Sequence, residues 1–221
     1  MGNSPLVSFT KISPNKNSPR NHVIDTITIH CTAGQMTAES LGAWFAKTST
    51  QASSNYGVDK DGRIGLYVEE GDRSWCSSSP SNDHRAITIE VSSDSFHPYK
   101  VTDKALASLI DLCADICKRN GIKALKWKGD PSLIGQVEKQ NMTVHRWFAN
   151  KPCPGEYLYN LHGYIANEVN KRLAPKTLSA WEKEVNEACD WAVSQGISDG
   201  KRLDEPLLRK EAIVMLYRSQ K

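Results

Sequence analysis

The sequence predicts a mixed α/β fold, and three observations carry that prediction. Two stretches, "VIDTITIHC" (23–31) and "HRAITIEVSS" (84–93), alternate apolar residues with threonine, as half-buried strands do. Two longer stretches, 102–120 and 155–173, repeat apolar residues at three- and four-residue spacing, as amphipathic helices do. Between them "NYGVDKDGRIGLYVEE" carries Asp61-Gly62, a hairpin turn signal.

Taken in order, the first strand ends at His30. The segment "TAESLGAWFAKT" follows as a short helix, with Thr37 as N-cap and Leu41, Trp44 and Phe45 on one face. Trp44 is expected in the core. After the hairpin, the strand "HRAITIEVSS" places Glu90 near its end. A helix from about Thr102 to Asn120 is stopped by Gly121, and Cys113 and Cys117, four apart on its apolar face, read as small core residues. "NMTVHRW" is a last short strand ending near His145. The closing helix of this part aligns Leu158, Leu161, Ile165 and Val169. "APKTLS" (174–179) reads as a linker. Two further helices, around "ISDGKRLDE", form a small helical C-terminal segment over 180–221. The expected organisation is therefore a domain over 1–173, the linker, and that segment, which is too short for much core of its own.

Composition narrows the function. The chain has 221 residues, 39% hydrophobic and 24% charged, as ordinary globular proteins have. A net charge of +3 is too mild to argue for nucleic acid, but it suits weak attraction to an anionic polymer surface. All of it resides before Ala174, because the C-terminal part is balanced. The N-terminus lacks an apolar signal region, and "MGNSPL" departs from the myristoylation pattern at Leu6. No apolar run approaches the roughly 18 residues of a membrane span. The expectation is a protein made in the cytoplasm that binds neither membrane nor nucleic acid. Six cysteines show no regular framework, which favours free thiols or metal ligands over disulfides.

The chemistry gathers on a few residues. His30 at a strand end, His145 at a strand end and Cys153 between Pro152 and Pro154 can supply a two-histidine, one-cysteine zinc set. The prolines fix φ on either side of the sulfur. The His–x7–Cys spacing alone leaves open a core histidine and a buried cysteine. Glu90 ends an apolar strand, a costly place for a carboxylate without a partner or a task. Lys151 lies two residues before Cys153. Metal-assisted hydrolysis needs a base, a Lewis acid and a cation for the oxyanion, and all three are available.

The motifs "TITIHCTAG", "SSNYGVDKDGRI", "DRSWCSSS", "RAITIEVSS" and "TVHRWFANKPCPG" follow one another as in the zinc-dependent N-acetylmuramoyl-L-alanine amidases. This family includes the amidase-type phage lysozymes and shares a fold with the peptidoglycan recognition proteins; the resemblance spans about Ile24 to Leu173. It implies a central mixed β-sheet flanked by helices, with a zinc cleft on one side. It implies His30, His145 and Cys153 as zinc ligands, and Tyr56, Lys151 and Glu90 as catalytic residues. A strand tyrosine with a hydrated hydroxyl is the other reading of Tyr56. The implied reaction cleaves the amide between the lactyl group of N-acetylmuramic acid and L-alanine of the peptidoglycan stem peptide. This sequence departs from many relatives at Trp75-Cys76, where they have Trp-His. Trp75 and His84 are therefore the candidates for substrate binding, although a solvated loop histidine also suits His84. Cys31 should point to the opposite strand face from His30 and is not made a ligand. His22, His97 and His162 fit no motif.

The tail "WAVSQGISDGKRLDEPLLRKEAIVMLYR" resembles a single S-layer-homology-type repeat. That implies binding of a secondary cell-wall polymer, or association with a second copy as a homodimer. A plain helical hairpin completing the fold is the alternative. The combined expectation is a phage- or prophage-type endolysin, released from the cytoplasm to act on the wall. Its rivals are a module that binds peptidoglycan without cutting it and a wall-recycling amidase inside the cell.

Overall fold

Alternation of apolar and hydroxyl residues builds the centre of the molecule. The computed structural model describes residues 2–175, 179–196, 201, 210, 213–214 and 217. The chain divides into two units, Met1–Ala174 and Pro175–Lys221. In the first unit the strands are β1 (Phe9–Thr10), β2 (Lys16–Asn17), β3 (Thr26–Cys31), β4 (Tyr56–Val58), β5 (Ile64–Leu66), β6 (Arg73–Ser74), β7 (Ala86–Val91) and β8 (Met142–Thr143). The helices are α1 (Ala38–Phe45), α2 (Pro80–Arg85), α3 (Asp103–Asn120) and α4 (Gly155–Leu173).

A six-stranded sheet runs in the order β1-β5-β4-β7-β3-β8, and β2 pairs with β6 in a two-stranded sheet. Most pairs in the large sheet are parallel, but β4 and β5 are antiparallel, so the sheet is mixed as expected. β3 and β7 lie side by side with His30 opposite Glu90 and Cys31 opposite Val91. Because residues on a strand alternate faces, Ile27, Ile29, Ile87, Ile89 and Val91 share one face with Tyr56 and Met142. That face packs in one apolar cluster with Leu109, Leu112, Cys113 and Ile116 of α3 and Leu158, Ile165 and Val169 of α4. Cys113 and Cys117 are fully buried there, as expected.

Local chemistry sets the element ends. Thr37 caps α1 in a reciprocal capping box with Ser40. Thr102 caps α3, which ends at Gly121 with φ +72°. The β4–β5 turn closes where Asp59 Oδ1 accepts from the backbone N–H of Asp61 and Arg63. Several expectations need correcting. The "NMTVHRW" strand pairs only over Met142–Thr143, and His145 begins a 3-10 turn, His145–Trp147. Trp44 is not core: its side chain is exposed on the outer face of α1, beneath the Lys47 ammonium. Helix α2 was not expected, although Ser79-Pro80 begins it as a cap and first-turn proline would.

In the second unit α5 (Ala180–Ser194) begins with a capping box between Ser179 and Glu182. Most of the second expected tail helix, and of the S-layer-homology-like segment, lies outside the described residues. Among the described residues no helix is long and apolar enough to cross a membrane.

Candidate active site and metal centre

The sheet face opposite the apolar core is lined by polar side chains. Thr28 and His30 of β3, Thr88 and Glu90 of β7, and Thr143 of β8 point that way. A hydrogen-bonded network closes it. Thr28 Oγ1 lies 2.7 Å from Thr143 Oγ1. Asn82 donates to Thr28 Oγ1 at 3.0 Å and accepts from Thr143 Oγ1 at 2.9 Å. Asn82 also donates to Ser77 Oγ, which lies 3.3 Å from His30 Nε2. Asn82 thus fixes both the strand hydroxyls and the serine that meets the imidazole. Asp83, its neighbour on α2, accepts from the backbone N–H of Cys76 and Ser77 and so holds the loop over the sheet.

On this floor His30, His145 and Cys153 converge, with one ligand atom from each lying within 4.8 Å of the others. His30 is fully buried, and its Nδ1 is 3.4 Å from Cys153 Sγ. The two imidazole rings meet edge to face with centroids 5.1 Å apart. Burial, then the neighbouring His145, holds the His30 pKa well below the usual histidine range. Burial, then the Lys151 ammonium, lowers that of His145. Both rings are therefore neutral near pH 7, with a lone pair to offer a cation. His145 Nε2 also lies 3.0 Å from Ser78 Oγ.

The Cys153 loop is clamped by a residue the sequence did not flag. The Arg146 backbone N–H donates to the Cys153 carbonyl at 3.1 Å, and its guanidinium donates to the Pro152 carbonyl at 2.7 Å. The same guanidinium pairs with Glu156 and stacks 4.5 Å over the Tyr159 ring. Gly155, at φ +80°, ends the loop where an added Cβ would sit 2.6 Å from Tyr99 Cβ, so only glycine fits. Cys31 packs against the apolar cluster and joins no ligand group among the described residues, in line with its strand parity. The neighbouring Cys153 thiol holds the Cys31 pKa down, and Cys31 together with burial pushes that of Cys153 well up.

Glu90 stands beside His30 across the β3–β7 pair. Its Oε1 accepts from Cys76 Sγ at 3.9 Å, while Oε2 is buried with no hydrogen-bond partner. Burial, then the nearby Cys31 sulfur, pushes its pKa up to about 8. A groove of about 520 Å³ opens over the site, lined by Trp75, Cys76, Ser78, Asp83, His145 and Lys151 among others.

Five expected site residues thus meet: His30, His145 and Cys153, with Glu90 beside His30 and Lys151 in the groove with His145. Trp75 lines the same groove, its indole N–H donating to Asn17 at 2.6 Å. Tyr56 does not join them, a correction with a simple cause. Gly57, not Tyr56, is in register with Glu90, so Tyr56 faces the other side of the sheet. There it is fully buried, donates to Glu70 at 2.6 Å and accepts from the Ser4 N–H. His84 is also elsewhere: its Nδ1 accepts from the Asn21 N–H at 3.0 Å, and it is not among the groove's lining residues.

Comparison with solved structures places this arrangement in context. A selenomethionine AmpD derivative aligns with TM-score 0.55 at 17% identity, covering 75% of this chain and 95% of that one. A mutant endolysin from Bacillus subtilis aligns with TM-score 0.54 at 18% identity, covering 73% and 97%. The catalytic domain of XlyA aligns with TM-score 0.51 at 17% identity, covering 73% and 97%. At these identities the likeness is one of fold. No curated protein sequence matches the chain. A family model described as N-acetylmuramoyl-L-alanine amidase matches residues 20–156, more than half of the sequence and every residue of the convergent cluster. The chain belongs to the N-acetylmuramoyl-L-alanine amidase family.

Proposed function

We propose that the protein is a zinc-dependent peptidoglycan amidase of the endolysin kind, cutting between the lactyl group of N-acetylmuramic acid and L-alanine. The observation that carries this reading is the meeting of His30, His145 and Cys153 beside a carboxylate with an unpaired buried oxygen. The donor set fits zinc, whose usual ligands are neutral imidazole and thiolate. In this reading His30, His145 and Cys153 hold the ion, which supplies a Lewis acid at the scissile carbonyl. Glu90 takes the proton of the attacking water and delivers it to the leaving amine; a pKa pushed up to about 8 suits a group that must both accept and donate near neutrality. Lys151 presents its ammonium to the groove, where it stabilises the developing oxyanion. Trp75 forms one wall for the substrate. No role passes to Tyr56 or His84.

Peptidoglycan is the partner of this site. The C-terminal unit belongs to the same reading as a module holding wall polymer or a second copy, supported by the exposed Trp181 and Trp191 of α5. Production in the cytoplasm and action on the wall after release complete it. The test is digestion of purified walls. We expect new N-terminal alanine, intact glycan strands, and arrest by a chelator with recovery on adding zinc. New reducing sugar ends in place of N-terminal alanine would exclude the amidase reaction. The Cys153→Ala protein should lose its zinc, and retention of tight zinc would remove Cys153 from the ligand set.

A further inference from the structure

Cys76 has no part in the reaction above, yet it sits at its centre. Its sulfur, a nitrogen of His30 and an oxygen of Glu90 form a second group whose ligand atoms all lie within 4.8 Å of one another. The backbone of Cys76 is fixed by Asp83, so the thiol does not reach this place by chance of a mobile loop. The Glu90 oxygen facing the buried region has no hydrogen-bond partner, a costly state that a cation relieves. Imidazole, thiolate and carboxylate are each zinc ligands, and this set carries a formal charge of −2 when ionised, against −1 for His30, His145 and Cys153.

We infer that His30, Cys76 and Glu90 form a second position for a divalent ion of the zinc class. This rests on the reading of the first centre, because the two positions share His30. A neutral imidazole has one free lone pair, so His30 serves one ion at a time and the positions compete. With the ion on His145 and Cys153, Glu90 is free to move protons. With the ion on Cys76 and Glu90, Cys76 has given its proton to solvent and the base is occupied as a ligand. In the second state the base is a ligand and no longer moves protons, so the centre is inactive.

Cobalt(II) loading of the full-length protein tests this, because thiolate bound to cobalt absorbs in the near ultraviolet. Cys153→Ser, with folding checked by circular dichroism, should still bind cobalt and show a thiolate band. Adding Cys76→Ser should abolish the band and weaken cobalt binding at least tenfold. A folded Cys153→Ser protein with no thiolate band, or a band that survives loss of Cys76, overturns the inference. Should Cys153→Ser not fold, His145→Ala gives the same reading: it must show a thiolate band that vanishes when Cys76→Ser is added, and a folded His145→Ala protein with no band, or with a band that survives Cys76→Ser, overturns the inference. Peptidoglycan cleavage by the wild-type zinc protein is measured apart from these spectra, so failure of the second position leaves the amidase reading standing, and the converse holds.

Discussion

The two faces of the β3–β7 pair are built from alternate residues of the same two strands, yet they do opposite things. One face presents Ile27, Ile29, Ile87, Ile89 and Val91, all fully buried against α3 and α4. Each such side chain contributes roughly 1.5–3 kcal/mol by leaving water. The other presents Thr28, His30 and Thr88, equally withdrawn from water but satisfied one hydrogen bond at a time by Asn82, Ser77, Ser74 and Asn55, together with the half-buried Glu90. The lesson is that burial alone does not separate scaffold from site. What separates them is whether the buried groups are complete. The apolar face asks for nothing further, while the polar face is left with one carboxylate oxygen and the His30 imidazole to offer a ligand.

That contrast can be broken in graded ways. Glu90→Gln should lower kcat by about 10²–10⁴-fold while zinc content is unchanged, since it removes proton transfer and little else. Loss of zinc together with activity would instead make Glu90 a ligand in the working state. Lys151→Ala should lower kcat by roughly 10²-fold or somewhat more, with substrate affinity less affected. An effect confined to KM would assign it to binding. Tyr56→Phe probes the opposite face: turnover should stay within about twofold, while stability falls by about 1–3 kcal/mol because the buried Glu70 loses a donor. A large loss of turnover would return Tyr56 to the reaction.

The smallest effect is a pH slope. The Glu90 pKa is raised in the folded protein, so its contribution to metal-free stability is full below the ordinary value of 4.5 and is lost as pH rises through about 8. The buried histidines act the other way, adding stability as pH rises through their ordinary range. The difference in Tm between wild type and Glu90→Gln, followed from pH 4.5 to 8, isolates the carboxylate. The wild type should lose ground steadily, and a constant difference would mean that Glu90 is already ionised.

Much of this was legible in the sequence because strand parity is local. "TITIH" and "AITIE" each place their last residue two beyond a threonine, and threonine marks the polar face in both strands. The same logic kept Cys31 out of the ligand set. Tyr56 was misplaced because "NYGVD" gives parity no marker: the residue on the site face is Gly57, which has no side chain to reveal it. Trp44 erred for a related reason, since a surface position on a short helix is decided by which neighbours cover it. The clamp of Arg146 on the Cys153 loop and the hold of Asp83 and Asn82 on residues 76–77 are short-range hydrogen bonds to loop residues, whose conformation follows no helix or strand period. Residue spacing carries no trace of them.

His30 and Cys153 meet although they lie 123 positions apart in the chain. During synthesis the first ligand emerges with the opening strand of the central pair, and the sheet floor is complete once β8 has been made. The sulfur arrives only afterwards. A chain cut or stalled anywhere between Gln140 and Pro152 would hold nearly all of the sheet and neither the thiolate nor the clamp around it. The convergent cluster is thus completed only after the sheet that carries it, with α4 alone among this unit's elements still to be made.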